Sequence, residues 1–72
     1  MEVEIYGIGV DELENWIMDW FANQDYMEGL DSLYMDFFQG YITLGWTDRL
    51  QSVYFDWLLE DLEKEYRNIE IS

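Results

Sequence analysis

Apolar residues recur along this chain in two rhythms. From Glu2 to Ile8 they alternate, with Val3 and Ile5 on one face and Glu2, Glu4 and Tyr6 on the other, which predicts a strand. Gly7 and Gly9 loosen its end. Leu13, Trp16, Ile17, Trp20 and Phe21 then follow at i, i+3, i+4, i+7 and i+8, the stripe of an amphipathic helix. Asp11 fits its N-cap, with Glu14 at capping-box spacing, and Asn23-Gln24-Asp25 breaks it. Asp25 and Glu28 offer a second cap, before Leu30, Leu33, Tyr34, Phe37 and Phe38 repeat the stripe and Gly40 fits C′. Tyr41–Leu44 suits either a short strand or a turn of helix. Thr47 or Asp48 opens a third helix that carries Leu50, Val53, Tyr54, Trp57, Leu58 and Leu62 towards Arg67. Asn68–Ile71 alternates again and can pair with the first strand. The expected fold is α+β: three amphipathic helices with a small sheet from the N- and C-terminal strands, in one domain over residues 1–72. The alternative is an all-α three-helix domain.

The three stripes spell nearly one phrase: LENWIMDWF over 13–21, LDSLYMDFF over 30–38 and LQSVYFDWL over 50–58. At about 100° per residue, Met18, Met35 and Phe55 sit roughly 140° from the opening Leu, outside the core arc. Asp19, Asp36 and Asp56 sit near 240°, on the opposite shoulder. Each helix would thus flank its core stripe with an apolar shoulder and a carboxylate shoulder. The apolar shoulders offer a hydrophobic anchor for a partner, a homodimer seam, or simply packing beneath a neighbouring helix.

Charge changes the picture. The 72 residues hold 17 Asp and Glu against 3 Lys and Arg, for a net charge of −14. A small domain needs roughly 2–8 units for solubility, and the excess opposes compaction by self-repulsion. Half the residues are apolar and 19% aromatic, so this is not the composition of an acidic disordered tail. Residues 1–48 contain eleven acids and no base, whereas residues 49–72 set three bases against six acids. Glu60–Lys64 and Glu63–Arg67 have the favourable i,i+4 order of an ordinary solvated helix face. Glu2, Glu4, Glu12, Glu14, Asp19, Asp25, Glu28, Asp31 and Asp36 have no such neighbour. These nine are the candidate partner-binding acids.

The same arithmetic narrows the chemistry. Without Cys there are no disulfides or thiolate sites, and without His most zinc, haem and iron sites are excluded. Serines and threonines are present, but Lys64 is the only base for nucleophilic catalysis. Neither a glycine-rich phosphate loop nor a calcium loop occurs. The expectation is no enzyme, no cofactor and no metal. Direct nucleic-acid binding and anionic membranes are disfavoured, because phosphate affinity comes from Lys and Arg. The N-terminal residues are acidic where a signal peptide is basic, and no apolar run reaches about 20 residues, so a cytoplasmic protein is expected.

Two resemblances bear on function. Gly29-Leu30-Asp31-Ser32-Leu33 resembles the phosphopantetheine attachment site of acyl carrier proteins, which implies modification at Ser32 at the start of a helix. The chain departs from that family in its aromatic content, its lack of Pro and its short connection before the motif. In overall character, as a small acidic chain without His or Cys, it resembles the phage and mobile-element inhibitors that mimic DNA: anti-CRISPR and antirestriction proteins. That resemblance implies a basic nucleic-acid-binding partner in a bacterial host, such as a Cas effector or restriction enzyme, with carboxylates standing where phosphates would lie. A protein–protein interaction module or antitoxin-like inhibitor of another basic partner is the alternative.

Overall fold

The computed structural model describes residues 2–47 and 49–72. In chain order the elements are strand β1 (Glu2–Tyr6), helix α1 (Val10–Asn23), a 3-10 helix (Met27–Ser32), strands β2 (Leu33–Phe38) and β3 (Tyr41–Trp46), helix α2 (Ser52–Glu65) and strand β4 (Glu70–Ile71). The sheet is antiparallel in the order β2-β3-β1-β4. A β-α-β-β-α-β chain threaded in this order has the ferredoxin-like, split βαβ arrangement.

The expected architecture of three amphipathic helices over two strands is therefore corrected, and so is its all-α alternative. The fold is α+β with a four-stranded sheet, and the middle phrase is a strand, not a helix. Leu33-Tyr34-Met35-Asp36-Phe37-Phe38 satisfies a period of two as well as a period of 3.6. Its aromatic residues suit a pleated surface. What decides is the partner. Gln39-Gly40 makes a two-residue turn, with Gly40 at φ +93°, the left-handed value that the third position of a type II turn requires. Beyond it Tyr41–Trp46 returns along β2 from Phe38↔Tyr41 to Leu33↔Trp46. Gly40 is a hairpin residue, not a helix cap.

The caps shift too. Gly9 precedes α1 without a side-chain bond, so Asp11 lies inside the first turn with Glu12, where the helix dipole favours acids. Asp25 adopts φ 54° in the turn after α1, and the 3-10 helix starts only at Met27. Helix α2 starts at Ser52 after Gln51, beyond the expected Thr47; the Asp48 alternative lies outside the described residues.

Register sorts the sheet into two faces. Val3, Ile5, Ile42, Leu44, Trp46, Leu33, Met35, Phe37 and Ile71 share the inner face. Over it pack Leu13, Ile17, Trp20 and Phe21 of α1 and Phe55, Leu58 and Leu62 of α2. Trp46 stacks on Phe55 at a ring separation of 3.6 Å. The Trp20 indole N–H donates to the Asp61 carboxylate at 2.7 Å, tying α1 to α2. Among the described residues no element covers the outer face, and its smallest residue is roofed by a neighbour. The Tyr34 ring lies across Gly45, its cross-strand partner, so closely that a Cβ there would overlap the ring.

Two stability outcomes follow from these contacts. Asp61→Ala leaves the Trp20 indole N–H unpaired at a site only 6% exposed. It should cost about 1–3 kcal/mol, read as a melting-temperature drop of roughly 4–8 °C per kcal/mol. Gly45→Ala should destabilise by driving Tyr34 off the sheet. In the Tyr34→Ala background the same change should cost far less, so a double-mutant cycle checks the contact.

Candidate binding surfaces

The outer sheet face concentrates charge and aromatic rings. Asp36 of β2, Thr43 of β3 and Glu4 of β1 lie in one cross-strand row, with strands about 4.8 Å apart. Glu2 is two residues along β1 from Glu4, about 7 Å away. The next row holds Phe38, Tyr41, Tyr6 and Glu70. Phe38 stacks on Tyr41 at 5.1 Å and 11°, and Tyr41 meets Tyr6 at 5.4 Å. The Tyr6 hydroxyl donates to a Glu4 carboxylate oxygen at 2.6 Å, which fixes the direction of that carboxylate. RNA-recognition modules also expose aromatics on a four-stranded sheet to stack bases. Here four carboxylates share the face, so a phosphate backbone is repelled.

The nine candidate acids do not form one surface. Glu2, Glu4 and Asp36 lie on the outer sheet face. Glu12, Glu14 and Asp19 are exposed on α1, in the layer on the other side of the sheet. Asp25, Glu28 and Asp31 are exposed in the turn and 3-10 helix between α1 and β2. Asp19 and Asp36, expected on the same shoulder, are on opposite sides of the molecule, because one repeat is a helix and the other a strand. The apolar shoulders separate too. Phe55 is 1% exposed and belongs to the core. Met18 is half exposed on α1, and Met35 is half-buried on β2. These two meet across a groove of about 330 Å³ between α1 and the edge of the sheet, floored by Ile17, Leu30, Leu33 and Leu44 with Glu14 at its side.

Sequence reasoning missed the edge strand itself. Phe37 is 69% exposed beside Gly9, Val10, Asp11 and Glu12, and Tyr34 and Phe38 are partly exposed. The alternation of Leu33, Met35 and Phe37 was the available signal, masked by the coincident helical stripe. Ser32 is 5% exposed and its carbonyl accepts the Thr47 N–H at 2.8 Å. It leads into β2 rather than opening a helix, unlike the carrier-protein arrangement. Among the described residues, no group of three or more Asp, Glu, His or Cys is placed to hold a metal ion. No helix among them is long and apolar enough to cross a membrane. No protein-family model, curated protein or solved structure matches the chain.

Two phenols record the negative surroundings. The hydrogen bond to Glu4 raises the Tyr6 phenol above its usual range, helped by burial and by the charges of Glu4 and Glu70. Burial raises that of Tyr66, with added repulsion from Glu12 and Glu65 and a hydrogen bond to Glu12. A raised folded-state value favours the protonated form. The associated stability is thus complete below the ordinary tyrosine value near pH 10 and lost as pH climbs through the raised ones. Melting temperature should fall above about pH 10, and less steeply in Tyr6→Phe and Tyr66→Phe, as thermal melts across the alkaline range would show.

Proposed function

We propose that this protein is an acidic inhibitor that occupies the nucleic-acid groove of a basic host protein, as anti-CRISPR and antirestriction DNA mimics do. The observation that carries this reading is charge per length. The body measures 29 × 21 × 19 Å and bears −14. A B-DNA duplex carries one negative charge per roughly 1.7 Å, or about 17 over the same 29 Å. The division of the acids between the sheet face, α1 and the intervening turn supports the comparison, since a duplex is charged all around its girth. Regular elements hold the backbone of most of these carboxylates, so little backbone ordering opposes docking. A groove built for phosphates would draw such a body in by long-range steering that weakens as salt rises.

The exposed rings of Tyr34, Phe37 and Phe38 on β2 favour a second reading, an interaction module for a basic partner that does not handle nucleic acid. That reading predicts binding with little salt dependence.

The test is competition. A partner retained from a bacterial lysate at low salt should release duplex DNA when this protein binds, and the association rate should fall steeply with ionic strength. Asp19→Lys and Asp36→Lys, made singly, probe opposite sides of the molecule. The one on the docking side should slow association by about tenfold at low salt and much less at high salt. Simultaneous occupation of the partner by DNA and this protein would sink the mimicry reading.

A further inference from the structure

Strand β2 is the long edge of the sheet and pairs with β3 alone. The Thr47 N–H to Ser32 carbonyl bond sets the phase of that ladder. In an antiparallel pair the bonded residues alternate, so Tyr34, Asp36 and Phe38 direct their backbone groups to β3. Leu33, Met35 and Phe37 direct theirs away from the sheet. A row of outward N–H and C=O groups is a template for another strand.

The side chains beside that row are sorted by the same alternation. Leu33 and Met35 face the groove beneath Met18, and Phe37 lies beyond its end. Tyr34, Asp36 and Phe38 face the outer side. A strand added at this edge would place alternate side chains in an apolar trough and beside two aromatic rings with a carboxylate between them. The trough takes aliphatic residues. The outer positions suit arginine, whose planar cation stacks on aromatic faces and pairs with carboxylates. Glu14 beside the groove, Asp11 and Glu12 near Phe37, and Glu28 and Asp31 ahead of β2 add negative charge. None of the three basic residues lines the groove. A second copy fits this edge poorly, because self-pairing brings −14 against −14.

We infer that the β2 edge accepts a fifth strand from a partner protein: an extended segment alternating arginine with aliphatic residues. This goes beyond the mimicry reading and does not rest on it, since strand addition and DNA displacement can succeed or fail separately.

The probe is a capped eight-residue peptide alternating valine and arginine, with a valine–glutamate peptide as its counterpart. The arginine peptide should bind the whole protein and slow amide exchange at Leu33, Met35 and Phe37 by at least tenfold, and the glutamate peptide should not bind. Phe37→Pro removes one outward N–H without touching the ladder to β3, and should weaken binding at least tenfold, against a smaller loss for Phe37→Ala. Circular dichroism checks that the proline variant folds; if it does not, the exchange pattern of the wild-type protein decides. Absence of binding, binding without protection at those three amides, or equal affinity in a folded Phe37→Pro variant would overturn the inference. So would a dimer in sedimentation that Phe37→Pro dissociates, which would assign the edge to a second copy.

Discussion

Ile42 and Leu44 on β3, set opposite Ile5 and Val3 on β1, make the apolar floor on which both helices rest. With no disulfide and no metal-ligating Cys or His, burial against this one sheet face must hold the domain together. Each fully buried aliphatic or aromatic side chain contributes roughly 1.5–3 kcal/mol, so few of the eleven core residues among those described are dispensable. The aliphatic residues of β1 and β3 are on the inner face, and the outer face carries Glu2, Glu4, Asp36, Glu70 and a row of aromatics.

The core also explains how so acidic a chain stays folded. Its carboxylates are spread over both sides of the molecule rather than massed on one, which lengthens the distances over which they repel. Asp61 is drawn inward by the Trp20 indole, and Glu4 is held by the Tyr6 hydroxyl. These bonds put some of the charge to structural use.

Much of the framework was legible in the sequence. The alternation of Val3 and Ile5, the stripe from Leu13 to Phe21 and the stripe through Leu58 and Leu62 each had one periodicity, and each forms the element it predicts. The pairing of Ile71 with Ile5 follows from alternation at both ends. The middle was not legible, because residues 30–38 fit two periods at once and only the hairpin with Tyr41–Trp46 separates them. That ambiguity propagated to the site: eight of the nine acids are exposed and Glu4 is half-buried, but their division between two sides depended on whether Asp36 lay on a helix or a strand. Met18 and Met35 were singled out as outlying apolar residues, yet their meeting across one groove required the sheet edge.

The threading of the sheet also sets the order in which it can be assembled. The β2–β3 hairpin closes over neighbouring residues, whereas Glu2↔Gly45 and Ile5↔Ile42 join positions roughly forty residues apart. Local hairpins cost little loop entropy and form within microseconds, while distant pairings slow a fold. Strand β1, which sits between β3 and β4, therefore carries most of the loop-closure cost of the sheet. Its pairing supplies the backbone partners of the β3 edge opposite β2, so the closure of the sheet centre rests on its most distant contact in sequence.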